Sequence, residues 1–556
     1  MKYLIVGGVA GGASTVARLR RLDEHSEIVM FEKGAYISYA NCGLPYYIGD
    51  IIPERDKLFV QTPENFKVRF NVDVRTNEEV VSIDRENKSV VVKRLIDDTY
   101  YTEHYDKLVL SPGAEPIKPP LKGIDLEGIY TLRNVPDTDQ IKAVVTKYPK
   151  GKAVVIGGGF IGLEMAENLH HLGMNVSIIE MSNQIMAPSD FPIAAMAQQH
   201  IRNKGIDLRL KTAVSGFEQN SGRLLVLLND GSEIEADFVI LSIGVKPDSR
   251  LAAQAGLALG RSGGILVNEF LQTSDENIFA VGDVIEFTHP ITGNSIPTYL
   301  AGPANKQGRI CAHNLSQDNK IQYKGSIGTA IVKVFDVTVT VAGVASKHLK
   351  AAQIKHSTAI IHSGSHAGYY PGAETMTIQI TFNEEDGTLY GAQIIGKDGV
   401  DKRIDILSNL IQRQGTVHDL TEFEHAYAPP FSSAKDPVNM VGFVAENIMT
   451  KKLFLADWDE LQLGATDDLI VDVRTEKEFQ SGAVQGAVNI PLDEIRGRLA
   501  DFPQDKRIVI YCQQGLRGYL AQRILLQNNF NNVVNMAGGY KLYLDCSAER
   551  KLLEKH

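Results

Sequence analysis

Cysteine and tryptophan are scarce in this chain, whose 556 residues include four cysteines and one tryptophan. In a reducing compartment cysteines this sparse are chemical or incidental rather than parts of a disulfide framework. Two of them, Cys42 and Cys512, lie in distinctive glycine-containing segments. Cys311 falls within a predicted helix and is interpreted as a core residue, and Cys546, which has no distinctive surroundings, is interpreted as incidental.

Long apolar runs and an excess of positive charge are also missing. No stretch of about 18 apolar residues occurs, which predicts that the chain does not span a membrane. The net charge of −10 and the pI of about 5.8 argue against general nucleic-acid binding. The N-terminus runs directly into a strand and a glycine turn, without the apolar region of a signal peptide. We therefore expect a cytoplasmic protein without nucleic-acid or membrane partners, and no metal site is predicted.

A strand, a glycine-rich turn and a helix open the chain, as in a dinucleotide-binding unit. Residues 2–6 predict a buried strand and residues 13–21 a helix. The small residues that would let backbone N–H groups approach a pyrophosphate are Gly7, Gly8, Ala10, Gly11 and Gly12. The following strand ends in Glu32, 20 residues after Gly12, where a carboxylate can bind ribose hydroxyls. Val9 replaces the second glycine of the usual pattern, and a glycine turn without a ligand is the alternative.

A second unit of the same kind follows, with a complete fingerprint formed by Gly157, Gly159 and Gly162. Its next strand ends at Glu180, 18 residues after Gly162. A carboxylate there accepts a hydrogen bond from the ribose 2′-hydroxyl and repels a 2′-phosphate, and residues 181–183 contain no arginine. The pattern favours NADH over NADPH, and two units in one chain predict two bound dinucleotides.

The segment 38–46 places Cys42 between Asn41 and Gly43, just downstream of the first unit. Small polar neighbours suit an accessible thiol at a helix N-terminus, where a thiolate would be stabilised. Tyr47 stands five residues further on, so no local partner cysteine exists. A single redox cysteine can form a mixed disulfide, a persulfide or a sulfenic acid. The alternative is a free cysteine that serves as a small buried apolar residue.

Segments 7–14 and 38–46 together closely resemble the coenzyme A–disulfide reductases. These are single-cysteine members of the FAD- and NAD(P)H-dependent pyridine nucleotide–disulfide oxidoreductases, and NADH oxidases and peroxidases of that superfamily share the single cysteine. The resemblance implies that Cys42 is the redox residue beside the flavin, with Ser38 and Asn41 on the substrate side. It also implies that Asp283, after a predicted strand, binds a ribityl hydroxyl of FAD.

Four basic residues lie near the cysteine segment and are candidates for binding the phosphates of coenzyme A: Arg18, Arg21, Lys67 and Arg69. Cations beside a thiol channel would hold a polyanionic carrier. The alternative for each is an ordinary solvated surface charge.

The third region, residues 325–448, is rich in short β-branched runs and resembles the superfamily's dimerisation domain. Its segments 366–371 and 424–430 resemble the family's tyrosine segments. The resemblance implies that Tyr427 reaches towards the partner's cysteine, where it could bond the sulfur or protonate a leaving thiolate. Tyr369 and Tyr370 are candidate substrate contacts, with interface packing as the alternative.

Near the C-terminus a predicted strand, residues 507–511, runs into the six-residue loop Cys512-Gln513-Gln514-Gly515-Leu516-Arg517 and a helix. Such a loop turns successive N–H groups inward and forms an anion nest around the sulfur. Arg517 adds positive charge, which would stabilise a thiolate or persulfide. With segments 469–474 and 537–540, the loop resembles a single rhodanese domain, and an inert rhodanese-like module is the alternative.

Length alone predicts roughly three to five domains of about 100–200 residues. We predict an α/β protein with two Rossmann-like dinucleotide-binding domains, an α+β dimerisation domain and a C-terminal α/β rhodanese domain. The predicted boundaries are 1–115 with 245–324 for FAD, 116–244 for NADH, 325–448 for dimerisation and 455–556 for rhodanese.

The predicted function is NADH-driven reduction of persulfides, polysulfides or coenzyme A disulfides by a homodimeric flavoenzyme, with Cys512 supplying sulfur. Coenzyme A would be the bound thiol carrier, and small thiols, persulfides or disulfides the other partners. The alternatives are an NADH oxidase or peroxidase that cycles Cys42 through a sulfenic acid, and a sulfur carrier or redox sensor.

Overall fold

The computed structural model describes residues 1–220, 222–317, 320–460 and 467–554. The chain forms two compact units: Met1–Ile179 with Thr212–Gly328, and Glu180–Lys211 with Thr329–His556. Within the described ranges, no helix combines the length and apolar character needed to cross a membrane.

The first segment of the first unit alternates strands and helices. Its strands are β1 (Lys2–Val6), β2 (Glu27–Glu32), β3 (Asp73–Thr76), β4 (Glu78–Asp84), β5 (Ser89–Arg94), β6 (Tyr100–His104), β7 (Lys107–Leu110), β8 (Ala114–Pro116), β9 (Ile129–Tyr130), β10 (Lys152–Ile156) and β11 (Asn175–Ile179). Its helices are α1 (Ala10–Leu22), α2 (Leu44–Ile48), α3 (Pro63–Phe70), α4 (Val135–Lys147) and α5 (Phe160–His171).

The chain then contributes two elements to the second unit before it returns to the first. These two elements are α6 (Phe191–Asn203) and β12 (Asp207–Arg209). The returning segment holds β13 (Val214–Asn220), β14 (Arg223–Leu228), β15 (Glu233–Ala236), β16 (Phe238–Leu241), β17 (Val245–Pro247), α7 (Arg250–Gln254), β18 (Ile265–Leu266), β19 (Ile278–Ala280), β20 (Ile285–Thr288), β21 (Ser295–Pro297) and α8 (Ala301–Ser316).

The remaining elements all belong to the second unit. Its strands are β22 (Ala330–Val334), β23 (Val337–Gly343), β24 (Ser357–Gly364), β25 (Thr375–Phe382), β26 (Leu389–Gly396), β27 (Leu455–Ala456), β28 (Leu469–Asp472), β29 (Val488–Asn489), β30 (Ile508–Tyr511) and β31 (Val533–Met536). Its helices are α9 (Ser346–Ala351), α10 (Val400–Gln412), α11 (Val417–Glu422), α12 (Pro437–Met449), α13 (Glu476–Gln480), α14 (Leu516–Gln527) and α15 (Gly539–Glu554).

Two parallel sheets carry the nucleotide-binding motifs of the first unit. One has the order β19-β7-β1-β2-β3, and the other includes β11-β10-β16-β9. In each sheet the glycine turn follows the central strand, β1 or β10. The turn leads into a helix because neighbouring parallel strands need a crossover connection. Helix α1 begins at Ala10, three residues before the predicted start, since the N–H of Ala13 already bonds the Val9 carbonyl at 2.8 Å.

The second unit contains an antiparallel sheet and a parallel sheet. The antiparallel sheet has the order β22-β23-β26-β25-β24, so β24 is an edge strand. The parallel sheet of the C-terminal module, which we define as residues 455–554, has the order β27-β31-β30-β28-β29. The predicted α/β class is confirmed, while the predicted domain boundaries stay predictions.

Candidate functional site

The first glycine turn has the close backbone approach that a dinucleotide site needs. Gly7 has a φ of +99°, and a β-carbon on it would lie 2.1 Å from the carbonyl oxygen of Ser111. A β-carbon on Gly12 would lie 1.9 Å from the carbonyl oxygen of Gly7. No side chain fits at either position, so the start of α1 stays open to a pyrophosphate.

Two acidic residues of the first unit, Glu32 and Asp283, lie at or just after the ends of strands of the same sheet and can accept hydrogen bonds from the sugar hydroxyls of a dinucleotide. Glu32 lies at the end of β2 and accepts hydrogen bonds from the N–H groups of Gly8 at 2.9 Å and Gly34 at 2.8 Å. Asp283 follows β19 and is half-buried, and burial raises its pKa to about 6, although Arg133 opposes the shift. Among the described residues the Asp283 carboxylate has no hydrogen-bond partner, so a ligand hydroxyl would satisfy it. These residues fit an extended dinucleotide such as FAD.

Cys42 lies in a 3₁₀ turn, Asn41–Gly43, immediately before α2. Ser38 connects this segment to the glycine turn, because its N–H donates to the Gly8 carbonyl at 2.9 Å. The Cys42 side chain and Asn41 are exposed in the protomer. Partial desolvation and the nearby carboxylates of Glu164 and Asp283 nevertheless raise the pKa of the Cys42 thiol. The expected stabilisation of a thiolate by the following helix is therefore wrong for the protein alone, since α2 has only five residues and two acids oppose it.

Glu164 is a group that the sequence interpretation left without a role. It lies on α5, and burial raises the pKa of its carboxyl to about 7, with a further upward contribution from Glu167. Tyr46 donates a 3.4 Å hydrogen bond to its Oε1. A carboxyl that titrates near neutral pH close to a thiol can hold or release a proton there. Its position two residues after the last glycine of the second fingerprint is the one sequence signal that could have indicated it.

The four predicted cations lie on two helices that are joined directly. Arg20 of α1 donates to the carbonyls of Phe70 and Asn71 at the end of α3, at 2.9 and 2.7 Å. Arg18 and Arg21 therefore lie on the helix next to the one that bears Lys67 and Arg69. Lys67 forms a 3.6 Å ion pair with Asp73, while Arg21 and Arg69 are exposed.

Arg309 of α8 is a further cation that the sequence interpretation missed. Partial desolvation and the guanidinium groups of Arg309 and Arg21 lower the pKa of Arg18. Mutual repulsion between three guanidinium groups would be relieved by an anion.

The second glycine turn repeats the geometry of the first. Gly157 has a φ of +109°, and a β-carbon on Gly162 would lie 2.0 Å from its carbonyl oxygen. A β-carbon on Gly159 would meet nothing within 4 Å, which leaves open space in front of α5. Glu180 begins the second unit and accepts a 2.8 Å hydrogen bond from the Ser182 N–H. The open space in front of α5 fits the predicted NADH.

The structure brings together two of the three predicted tyrosines. The hydroxyls of Tyr369 and Tyr427 are 2.8 Å apart, and both side chains are exposed in the protomer. Tyr370 instead packs edge-on against His366, with ring centroids 5.6 Å apart. His425 bonds the Ser433 carbonyl at 2.9 Å, which is a structural role.

A buried ion pair lies beneath the two tyrosine segments. Arg403 and Asp436 are 1% and 0% exposed and are joined by a 2.9 Å hydrogen bond. Arg403 also donates to the Ser365 carbonyl at 2.9 Å, and Ser432 donates to Asp436 at 2.6 Å. Ser365 lies immediately before segment 366–371, and Ser432 lies two residues after segment 424–430, so one ion pair holds the backbone next to both segments.

The loop after β30 places the sulfur of Cys512 among backbone amides. Cys512 is buried, and the N–H of Gly515 donates to its Sγ at 3.1 Å. Three loop carbonyls are engaged elsewhere: those of Cys512, Gln513 and Gly515 accept from the Tyr540 N–H, the Lys541 N–H and Asn535 Nδ2. Since N–H and C=O point in opposite directions in a trans peptide, the following N–H groups turn towards the loop interior. This is the geometry of an anion nest.

Arg517 is oriented by an acid that the sequence interpretation missed. Its guanidinium donates to both carboxylate oxygens of Glu478, at 2.8 and 2.7 Å. This contact raises the pKa of Arg517 and lowers that of Glu478 to about 2. Part of the charge predicted to act on Cys512 is therefore shared with Glu478. The signal for Glu478 was its capping box with Thr475, which begins α13.

A second buried pair supports the same loop. Arg474, 2% exposed, bonds Asp472 at 2.7 Å and donates to Gln513 Oε1 at 3.1 Å. Its guanidinium lies 4.2 Å from the ring centroid of Tyr540. Strand β28 ends at Asp472, and the side chains of Asp472 and Arg474 turn towards each other at this end of the strand.

Three parts of the chain match models of known families. Residues 1–308 match the pyridine nucleotide-disulphide oxidoreductase model, and residues 329–437 match the dimerisation domain of the same group. Residues 456–546 match the rhodanese-like domain.

Proteins similar to this chain include a coenzyme A disulfide reductase and two proteins of known structure. The chain is 36% identical over 447 residues to a coenzyme A disulfide reductase of Staphylococcus haemolyticus, covering 80% of this chain and 100% of the relative. The structure of reduced Bacillus anthracis CoADR-RHD shares 48% identity and a TM-score of 0.95, covering 99% of this chain and 98% of that one. The NAD-dependent persulfide reductase of A. fulgidus shares 37% identity and a TM-score of 0.92, covering 98% and 100%.

Proposed function

Because the chain belongs to the pyridine nucleotide-disulphide oxidoreductase family and carries a rhodanese-like domain, we propose that it reduces sulfane sulfur or coenzyme A disulfides with NADH. The resemblances predicted from the glycine, cysteine and C-terminal motifs are confirmed. The observation that carries the proposal is the presence of two different cysteine sites in one chain. Cys42 adjoins a dinucleotide turn, whereas Cys512 lies in a nest of amides.

FAD is held, in this proposal, by the first glycine turn together with Glu32 and Asp283. NADH is held by the second glycine turn, and the carboxylate of Glu180 disfavours the 2′-phosphate of NADPH. When bound, FAD supplies two-electron transfer between the nicotinamide and sulfur. The lack of a β-carbon at Gly7 and Gly12 supports this assignment, as does the Asp283 carboxylate, which has no hydrogen-bond partner among the described residues.

Cys42 acts as the nucleophile. Its thiolate attacks a sulfur of coenzyme A disulfide, forms a Cys42–coenzyme A mixed disulfide and releases one coenzyme A thiolate. Overall, NADH, a proton and one disulfide give NAD⁺ and two thiols. With coenzyme A persulfide the products are NAD⁺, coenzyme A and hydrogen sulfide. Glu164, which titrates near pH 7, exchanges the proton of the Cys42 thiol.

Tyr427 serves Cys42 of the second subunit in a homodimer. Its hydroxyl bonds the sulfur or protonates the leaving thiolate, and Tyr369 holds that hydroxyl from 2.8 Å. Arg18, Arg21, Lys67, Arg69 and Arg309 bind the phosphates of coenzyme A. Ser38 and Asn41 flank the entering thiol. Among these side chains Arg18 and Ser38 are half-buried in the protomer, and the others are exposed: Arg21, Asn41, Lys67, Arg69 and Arg309.

Cys512 delivers sulfur. A persulfide on Cys512 is stabilised by the amide nest and Arg517, and a coenzyme A thiolate takes its outer sulfur, regenerating the Cys512 thiolate. The coenzyme A persulfide formed is the substrate of Cys42. Both cysteines must be free thiols between cycles, which fits a reducing compartment such as the cytoplasm.

The test is NADH oxidation without oxygen, with coenzyme A persulfide or coenzyme A disulfide as acceptor, while sulfide is followed. We expect turnover with sulfide release from the persulfide, and loss of all turnover in Cys42→Ser. Cys512→Ser should retain turnover with both coenzyme A substrates and lose it with thiosulfate as sulfur source. No turnover with either acceptor, followed by rapid NADH oxidation once oxygen or peroxide is admitted, would contradict the proposal.

A further inference from the structure

The C-terminal module is packed firmly against two other elements of the second unit, α6 and β24. An apolar cluster joins them: Ala195, Trp458, Leu542 and Cys546 are buried, and Phe191, Met196 and Ile360 pack against them. The rings of Phe191 and Trp458 stack with centroids 5.7 Å apart. Glu549 of α15, 0% exposed, accepts hydrogen bonds from three side chains of α6: Gln198, Gln199 and Arg202. The module is therefore fixed to this part of the unit.

His362 of β24 contacts the C-terminal module close to the loop of Cys512. It lies two residues after Ile360 and so on the same face of the strand. Its Nε2 lies 2.9 Å from the Gly538 carbonyl oxygen, and its Nδ1 lies 2.8 Å from Thr377 Oγ1. A carbonyl oxygen can only accept, so Nε2 carries the proton and Nδ1 accepts from the Thr377 hydroxyl. Burial lowers the pKa of His362 to about 4, which keeps the ring neutral.

The segment 538–541 connects this hydrogen bond to the loop of Cys512. A β-carbon on Gly539 would lie 2.6 Å from the Cys512 carbonyl oxygen, so the two backbones are in direct contact. Tyr540 N–H donates to that oxygen at 2.8 Å, and Lys541 N–H donates to the Gln513 carbonyl at 3.0 Å. These bonds hold the two carbonyls that turn the next N–H groups into the nest.

We infer that His362, a residue of the dimerisation domain, is a positioning residue for sulfur transfer at Cys512. The bond from His362 to the Gly538 carbonyl fixes segment 538–541. That segment in turn holds the carbonyls of Cys512 and Gln513 away from the sulfur, so that the N–H groups of the loop point towards it. The inference rests on the proposed sulfur-carrying role of Cys512 but not on reduction at Cys42. It assigns part of the reactivity of the rhodanese-like domain to a residue outside that domain.

The test is sulfur transfer from thiosulfate to cyanide by the full-length protein. The Cys512 thiolate takes the outer sulfur of thiosulfate as the S–S bond breaks and sulfite leaves. Cyanide then removes that sulfur, giving thiocyanate and the thiolate. The variants are His362→Phe, which keeps a ring and loses the donor, and His362→Gln, which keeps an N–H donor. The matched control is His356→Phe, because, within the described ranges, the His356 ring bonds only Ser346 and Ile354 of its own domain, at 2.8 Å each.

We expect kcat/KM for thiosulfate to fall about 5- to 10-fold in His362→Phe, the loss of roughly one hydrogen bond. His362→Gln and His356→Phe should stay within about 3-fold of the wild type. NADH turnover with coenzyme A disulfide reports an intact fold and should be unchanged in all three. An unchanged rate in His362→Phe, or equal losses in the Phe and Gln variants, would overturn the inference.

A second variant tests the inference if His362→Phe does not fold. Thr377→Val preserves shape and removes the hydroxyl that donates to Nδ1 of His362 and helps to hold its ring. We expect a fall of about 2- to 3-fold in sulfur transfer. A wild-type rate in this variant would also overturn the inference. Failure of the wild-type protein itself to transfer sulfur would instead contradict the proposed role of Cys512.

Discussion

The hydroxyls of Tyr369 and Tyr427 form a 2.8 Å hydrogen bond, although 58 positions separate the two residues in the chain. This bond raises the pKa of Tyr427, so its phenol stays protonated at neutral pH and can donate. The buried pair Arg403–Asp436 holds the backbone next to both tyrosine segments, which makes the juxtaposition a property of the fold.

Replacement of Tyr427 by phenylalanine should slow the sulfur half of the cycle. We expect turnover with coenzyme A disulfide to fall about 100-fold, because a positioned acid typically contributes about that much or more. Rapid mixing of the enzyme with NADH alone should show unchanged flavin reduction. Tyr370→Phe is the matched control, since its ring packs against His366. Equal losses in both variants would contradict a chemical role for Tyr427.

Removal of the charge of Glu164 should make Cys42 more reactive. Repulsion from that carboxylate contributes to the raised pKa of the thiol, and it grows as Glu164 deprotonates through a pKa of about 7. In Glu164→Gln the pH profile of Cys42 alkylation by iodoacetamide should therefore move to lower pH. Glu167→Gln, on the same helix, should move it less. A shift to higher pH in Glu164→Gln would contradict this account.

Breaking the Arg403–Asp436 pair should destabilise the second unit and loosen the tyrosine pair. Although burial opposes it, hydrogen bonds from Arg403 and Ser432 lower the pKa of Asp436, so the pair is ionised in the native state. Removal of one partner from a buried pair costs about 3–5 kcal/mol. We expect a lower Tm for Asp436→Asn in calorimetry. A comparable loss in Glu422→Gln, an exposed site, would contradict a specific effect.

Replacement of Arg517 by lysine should impair sulfur transfer at Cys512 while leaving NADH turnover with coenzyme A disulfide intact. Lysine keeps the charge but cannot form the two-oxygen contact with Glu478. We expect about a 10-fold loss in thiocyanate formation, which corresponds to about 1.4 kcal/mol. Glu478→Gln should give a loss in the same direction, because Arg517 then lacks its orienting partner. Wild-type rates in both variants would show that the contact has no role in the reaction.

The parts of the fold that could be predicted from the sequence are those that depend on short, continuous motifs. The two glycine turns and the loop of Cys512 each combine a buried strand with turn residues over a short span, and the segment of Cys42 places its cysteine in a turn immediately before a helix. Helix starts were less exact: α1 begins at Ala10 because small residues continue the helix into the turn.

Residues whose role depends on long-range contacts could not be predicted in the same way. Glu164 comes near Cys42 only when α5 packs in the first unit, and Arg309 meets Arg18 only when α8 packs on α1. Glu478 and His362 gain their roles from partners 39 and 176 positions away. The pKa of Cys42 was also misjudged, since the sequence shows the helix that follows it but not the carboxylates around it.

The most direct test of the central claim is to follow one sulfur from Cys512 to sulfide. The protein is loaded on Cys512 with ³⁵S from labelled thiosulfate, freed of excess donor, and mixed without oxygen with NADH and coenzyme A. The account predicts one labelled sulfide and one NADH oxidised per loaded Cys512, no labelled sulfide without coenzyme A, and none in Cys42→Ser. Label that stays on Cys512 while NADH is present, or labelled sulfide formed equally well in Cys42→Ser, would contradict it.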